Sequence, residues 1–319
     1  MSRATLDILI PTFNRAAHLM SNLESLRLEI ERLDDPSLVS VLVSDNASTD
    51  SSWELLEGFQ AAHPEMNLKL TRQDQNRGLE QNVVDVFGLA VGDWVMFLGD
   101  DDRLPTGYLR RVLEVADSRR GDCVLPGVVA LDSGNERSVL RGEVDGVDRW
   151  YGRSLRSVAT LSGFGHQLSG VAVRRAGTLE AYLSDPANRN LYPFIFFVGY
   201  NVKRGGGWYL GKFQTEVLEG GEKDWSYDSS YLLRDALVNY ASLFPNSAWR
   251  RAYCDLSFFR FQPWRLGVYS RKPSVTVAAF SEIVRSRNVS WQARVLLPLV
   301  YAVGLARRAW KATAGLIRS

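Results

Sequence analysis

Two cysteines in 319 residues, Cys123 and Cys254, are too few for a disulfide framework, and neither has a partner at metal-ligand spacing. Their scarcity argues against a disulfide-stapled secreted fold and points to a reducing cytoplasm. Charge of one sign is equally scarce. Against 36 Asp and Glu stand 38 Lys and Arg, a formal net charge of +2, which is too even for a dedicated nucleic-acid binder. No signal-peptide core precedes the first apolar segment, because residues 1–7 enter it directly. A spanning helix needs about 20 apolar residues, and the apolar run 295–306 is shorter and interrupted by Pro298. Internal repeats, low-complexity tracts and a clear interdomain linker are missing too. No glycine-rich, basic phosphate loop follows the first apolar run, which argues against a nucleotidyltransferase.

The composition, 45% hydrophobic and 23% charged, is that of an ordinary globular chain able to bury one core plus an appended subdomain. Leu6 to Ile10 reads as a strand running into the polar loop Pro11-Thr12-Phe13-Asn14-Arg15. A helix follows in which Leu19, Leu23, Leu26, Ile30 and Leu33 recur at helical spacing, ended by Asp34-Asp35-Pro36. Val41-Leu42-Val43 is a second strand, followed by a helix carrying Trp53, Leu55, Leu56 and Phe59. Leu68 to Thr71 is a short strand, and Gly78 opens a helix through Val83, Val84, Val86 and Phe87. Asp93 to Leu98 is a central strand, and Pro105 begins a helix with Tyr108, Leu109, Val112 and Leu113. Such alternation predicts an α/β fold with a mainly parallel sheet flanked by helices. Past residue 120, strands are expected at 124–131 and 169–173, with a turn at Gly205-Gly206-Gly207 between 200–202 and 208–210. From Tyr227 onward helices dominate.

Three strands deliver polar groups at their carboxyl ends: Pro11 to Arg15, Ser44-Asp45-Asn46-Ala47-Ser48-Thr49-Asp50, and Gly99-Asp100-Asp101-Asp102. In an open α/β sheet that rim is where ligands bind. Three carboxylates on one turn repel each other unless a cation or solvent compensates, and a hard divalent cation prefers carboxylate oxygens. Taken singly, an acidic turn is usually a solvated loop, and Asp-Asn-Ala-Ser is ordinary turn chemistry. Their joint occurrence at successive strand ends suits an enzyme that handles a nucleoside diphosphate compound.

These motifs, with Asn76-Arg77-Gly78 and Asn82, resemble the family 2 glycosyltransferases of GT-A fold over roughly the first 115 residues; a weaker likeness surrounds Ser169 to Arg175. The segment from Tyr192-Pro193 is similar to the subgroup that transfers deoxy- or dideoxyhexoses in O-antigen assembly, the abequosyltransferases. The resemblance implies that Asp45 recognises the nucleoside, with Asn46 beside it, and that Pro11, Thr12, Asn14 and Arg15 pack along it. It implies nucleotide-sugar contacts at Arg77, Gly78 and Asn82 as well. The acidic motif would contact ribose through Asp100 and hold Mn²⁺ or Mg²⁺ through Asp101, with Asp102 as a further ligand. Family patterns commonly show Asp-x-Asp-Asp, and Gly99 stands at the first position here.

The donor implied is a nucleoside-diphosphate sugar (UDP, CDP or dTDP), the acceptor a glycan or lipid-linked saccharide, and the stereochemistry inverting. Inverting members take a base from an acidic residue at the start of a helix in the second half, but residues 191–197 lack the customary Glu-Asp pair. Asp185 is the nearest carboxylate, with Glu180, Asp224 and His166 as rivals, although Ser184-Asp185-Pro186 is also an ordinary turn. A catalytically degenerate carbohydrate-binding or nucleotide-binding relative is the alternative.

Residues 1–225 are expected to form the catalytic domain, 1–115 binding the nucleotide sugar and 116–225 the acceptor, and 226–319 a helical region. Aromatics abound after residue 149 (Trp150, Tyr151, Trp208, Tyr209, Trp225, Tyr227), most of them expected in the core. From Ile283 to Ser319 there is no Asp or Glu, while Arg285, Arg287, Arg294, Arg307, Arg308, Lys311 and Arg318 occur. With Trp291 and Trp310 around the apolar run, this suits a helix lying on an anionic membrane surface at the inner face of the cell membrane. The same helix could instead dock on the catalytic domain or on a second copy in a homodimer.

Overall fold

A computed structural model of the chain describes residues 3–131, 137–142, 145–218, 229–268, 270 and 272–316. The first part alternates as the hydrophobic periods predict: β1 (Leu6–Thr12), α1 (Ala16–Glu31), β2 (Val39–Asp45), α2 (Ser52–Ala62), β3 (Leu68–Arg72), α3 (Leu79–Gly88), β4 (Trp94–Phe97) and α4 (Tyr108–Ser118). Then come β5 (Cys123–Leu131), β6 (Arg137–Arg141), β7 (Asp148–Tyr151), α5 (Leu155–Phe164), β8 (Val171–Arg174), α6 (Thr178–Leu183), α7 (Pro193–Gly205) and β9 (Gly207–Leu218). Four helices follow: α8 (Ser229–Leu243), α9 (Ala248–Phe261), α10 (Pro273–Arg285) and α11 (Trp291–Leu316). Asp224, Trp225, Tyr227 and Arg318 lie outside the described residues, as does the expected boundary at 225/226.

The strands form one sheet in the order β3-β2-β1-β4-β8-β5-β9-β7, with β6 paired to β5. β3, β2, β1 and β4 are parallel neighbours, so their carboxyl ends open on the same edge. β8 then enters antiparallel between β4 and β5, while β9 runs parallel to β5. The Gly205-Gly206-Gly207 turn links α7 to β9. Gly206 has φ 79°, and a Cβ there would lie 2.7 Å from the Tyr151 carbonyl, so only glycine fits.

Side chains alternate along each strand, which sorts the core into two layers. Ile8, Ile10, Val41, Val43, Trp94 and Met96 pack against α1 and α4. Leu9, Leu42, Val95, Phe97, Val171 and Val173 pack on the other side against α3, α5 and α7. Both faces are therefore covered, as a parallel sheet requires. The second layer continues into α8–α11 through Leu237, Tyr240, Phe258, Phe259, Ala293 and Leu297. A carboxylate is sealed in this helical region. Asp255 accepts from Ser290 N at 3.2 Å and Ser290 Oγ at 2.9 Å, while its Oδ1 is buried without a partner.

Burial pushes the Asp255 carboxyl up to about 7, with the Ser290 bonds and Arg251 pulling it down. A raised carboxylate pKa in the fold means that ionisation favours the unfolded chain. Stability from this group should therefore be fully present below the unfolded pKa of about 3.9 and fall as pH rises towards 7, by at most about 1.4 kcal/mol per pH unit. Urea unfolding at pH 5 and pH 8 should show a smaller difference for Asp255→Asn than for the native chain; equal differences would refute the assignment.

α11 departs from the compact pattern. Ala293 and Leu297 are buried, yet Trp291 (64% exposed), Val295 (68%), Leu299 (63%) and Trp310 (75%) line a different face, joined by Leu296 and Val303. Trp249 of α9, its ring 6.5 Å from that of Trp291, extends this apolar surface. Among the described residues no helix is long and apolar enough to cross a membrane.

Candidate active site

The loop after β1 is built to lie against the loop after β2. Asn14, at φ 53°, donates its amide to Ser48 Oγ at 2.9 Å and accepts the Thr49 amide on its own Oδ1 at 2.9 Å. Arg15 N reaches Ser52 Oγ at 3.0 Å, and Ala16 N reaches Asp50 at 3.1 Å. Asp45, at the end of β2, is fully buried. Ser48 donates to it through both its amide and its hydroxyl, and Arg72 Nε lies 3.3 Å away. Register explains Arg72, because β3 pairs Arg72 with Asp45. Asn46 accepts the Arg77 amide at 2.9 Å, and Asn82 Nδ2 donates to the Ser44 carbonyl at 2.9 Å. The start of α3, with Gly78 at φ 82°, is thus tied to the end of β2. Pro11 and Thr12 end β1 buried beside these loops.

β4 delivers the acidic turn into this corner. Asn22 of α1 donates to the carbonyls of Gly99, at 3.0 Å, and of Asp102. From the opposite side the Gly99 amide donates to Ser169 Oγ at 2.9 Å, and that hydroxyl donates to Asp102. Arg141, almost wholly buried, donates to the carbonyls of Pro126 at 3.2 Å, Ser169 at 3.3 Å, and Gln167. The turn is therefore clamped between α1 and the strand-8 loop, with Asp102 facing inward. Asp100 and Asp101 face Arg15, whose Nε and Nη2 lie 3.6 Å and 3.9 Å from their oxygens.

Burial is the main force on the turn's charges, and the Asp101 carboxylate adds repulsion. Together they push Asp100 up to about 7 against the pull of Thr12, Arg15 and the Phe13 amide. They push Asp102 up to about 7 as well, opposed by Ser169 and Arg141. Among the described residues no three acidic, His or Cys side chains converge as a ready-made metal cage. Two neighbouring carboxylates still fit a divalent cation whose other ligands are diphosphate and water oxygens, the usual arrangement for Mg²⁺.

The departure at Gly99 has a steric reason. A Cβ there would stand 2.5 Å from Asp102 Oδ2 and 3.2 Å from Ser169 Oγ. An aspartate at that position and an inward Asp102 exclude each other. Gly99→Ala should cost about 1–3 kcal/mol by forcing Asp102 off Ser169 and should lower turnover with it; an unchanged melting temperature would refute this packing.

Asp185 stands apart. It is exposed and accepts Ala187 N at 2.9 Å, capping the short turn Pro186–Asn188. Its loop is nevertheless docked on the site, because Arg189 grips Glu80 and Gln81 at the start of α3 and Tyr182 OH donates to Glu80 at 2.9 Å. Glu180 is exposed on α6. His166 donates Nδ1–H to the Gly163 carbonyl; burial and the Arg265 cation hold it down at about 3, so it is neutral. At the start of α7, Asn190 and Asn239 exchange hydrogen bonds at 3.0 and 3.2 Å.

Asn22, Arg72 and Arg141 are not among the expected site residues, and Ser169 enters only at the start of an expected strand and inside the weaker likeness. Asn22 carries a readable signal, a polar residue beside Leu19, Leu23 and Leu26 on the buried face of its helix. The other two act across separations that no local period encodes.

The family model for glycosyl transferase family 2 matches residues 7–180. Two curated relatives share short stretches. The GalNAc(5)-diNAcBac-PP-undecaprenol beta-1,3-glucosyltransferase of Campylobacter jejuni is 28% identical over 112 residues, 35% of this chain and 34% of that protein. Abequosyltransferase RfbV of Salmonella typhimurium is 29% identical over 116 residues, 34% of this chain and 32% of that one. The matches span about a third of each relative's length. Among solved structures, S. aureus TarS 1-349 in complex with UDP-GlcNAc aligns at TM-score 0.62 and 17% identity, over 88% of this chain and 79% of that one. The mannosyltransferase PcManGT of Pyrobaculum calidifontis, in complex with GDP-Man and Mn²⁺, aligns at 0.53 and 13%, over 96% and 88%. At these identities the likeness establishes the fold, GT-A.

Proposed function

The chain belongs to glycosyl transferase family 2, and from that premise we propose that it moves a sugar from a nucleoside-diphosphate sugar to a glycan or lipid-linked acceptor in surface polysaccharide synthesis. The observation that carries this reading is the meeting of four elements at one sheet edge. They are the loop after β1, the end of β2, the start of α3 and the clamped acidic turn.

Asp45 and the loop it caps would hold the nucleoside. Asn14, Asn46, Arg77, Gly78 and Asn82 would shape the wall around it, with Pro11 and Thr12 along the floor. Asp100 would take the ribose side of the turn, and Asp101 would be the principal ligand of Mn²⁺ or Mg²⁺. A bound divalent cation would neutralise the charge that grows on the departing diphosphate. Asp102, the expected further metal ligand, is buried and turned towards Ser169, so it would hold the turn in shape rather than bind the ion.

Inversion requires a proton acceptor on the far side of the sugar. We assign that role to Asp185, since the Arg189–Glu80 clasp brings its loop to α3 while its carboxylate stays open to solvent. The undecaprenol named in one relative and the exposed apolar face of α11 support a membrane-borne acceptor met at the inner membrane surface. The native chain should co-sediment with vesicles containing phosphatidylglycerol, and Leu299→Asp should release it; equal sedimentation of both would refute this.

Donor binding is tested by thermal shift with UDP, CDP, dTDP and GDP, with and without Mn²⁺, and turnover by hydrolysis of the matching nucleotide sugar with Mn²⁺ added. Stabilisation by one nucleotide that requires the metal is expected. No shift with any of the four would overturn the reading, and binding without transfer would identify a degenerate relative.

A further inference from the structure

Arg15 is fixed at its backbone and loose at its tip. Its amide is held by Ser52 at 3.0 Å, the residue before it is tied to Ser48 and Thr49, and α1 begins at the next residue. The side chain is only 11% exposed, and its guanidinium bridges two carboxylates at 3.6 and 3.9 Å. Both distances exceed a hydrogen bond, so charge rather than directional bonding holds the group there. The partners are the two carboxylates assigned above to ribose and metal.

We propose that Arg15 is an exchangeable counter-cation, so that a divalent metal can settle on Asp101, beside Asp100, only when the donor's diphosphate takes over the guanidinium. This rests on the reading of a metal-dependent nucleotide-sugar site. A divalent ion drawn to carboxylates that already hold a guanidinium would be repelled by it, and a partly buried corner screens that repulsion poorly. A diphosphate removes that conflict, because the guanidinium fork matches phosphate oxygens. Metal and nucleotide should therefore each strengthen the binding of the other by the same factor. The arrangement keeps the metal site weak until a donor arrives, and Arg15 sets the order without touching the sugar.

The test is Mn²⁺ binding, followed by electron paramagnetic resonance of the free ion, with and without UDP, CDP, dTDP or GDP. In the native chain Mn²⁺ alone should bind weakly, and the matching nucleotide should tighten it by about tenfold or more. In Arg15→Gln, Mn²⁺ alone should bind more tightly than in the native chain, and the nucleotide's effect should shrink towards none. Arg15→Lys, which keeps the charge without the fork, should retain weak metal binding with a reduced nucleotide effect. Arg15→Gln and Arg15→Lys that bind Mn²⁺ and nucleotide as the native chain does would overturn the inference and leave the proposed reaction standing. A native chain that shows no nucleotide-dependent Mn²⁺ binding would overturn both.

Discussion

Replacing Asp101 with alanine is expected to lower donor turnover about a thousandfold while leaving the melting temperature nearly unchanged. A thousandfold loss is about 4 kcal/mol of transition-state stabilisation, the scale seen when a group facing a developing charge is removed. Stability should hold because Asp101 is the most open carboxylate of the turn, with 24% of its side chain exposed, and because its charge is what raises its two neighbours after burial. Its removal relieves that repulsion, and Arg15 keeps Asp100 as its partner. Asp102→Ala should behave in the opposite manner, costing stability by taking away the acceptor of Ser169. Steady-state rates across a Mn²⁺ titration, set beside calorimetry, separate the two variants. An Asp101→Ala enzyme that keeps the native Mn²⁺ response would move the ligand role to Asp100.

The largest effect on the fold should come from Phe197→Ala. The ring of Phe197 lies 5.3 Å from Phe87 on α3, 5.5 Å from Phe97 on β4 and 5.2 Å from Tyr182 on α6. Four elements meet there, one of them the strand that delivers the acidic turn. Truncating a fully buried phenylalanine costs about 3–5 kcal/mol through lost burial and the cavity left behind. At roughly 2–4 °C per kcal/mol for a large domain, the midpoint should fall by about 10 °C. A fall of under 2 °C would mean that the cluster collapses to fill the space. Because Phe97 stands three residues before Asp100, the variant should also lose donor affinity at temperatures well below its midpoint.

The corner at the carboxyl ends of β1, β2 and β4 is readable because its information is local. β1, β2 and β4 announce themselves as apolar runs of strand length, and each ends in the polar residues that the parallel sheet brings together. The second half hides for physical reasons. All four residues of β7 are half-buried, so no alternation marks the strand. β9 was expected only over 208–210, whereas it runs from Gly207 to Leu218 and takes its length from β5, a partner more than 80 residues earlier. α5 and β6 went unread altogether. In the site, the clamps from Asn22 and Ser169 span separations of 77 and 70 residues to Gly99. Gly99 itself looked like a missing ligand until the inward position of Asp102 explained it.

The seat of β9 has a practical consequence. It lies between β5 and β7, yet it begins beyond residue 180, where the family match stops. A graft or truncation made at that limit would strip one side of β5 along its nine residues and leave β7 without its partner. Bare ladders of that kind recruit strands from other molecules. Chimeras intended to swap acceptor preference should therefore cross over after Leu218, and shorter ones should appear as aggregates rather than as inactive enzymes.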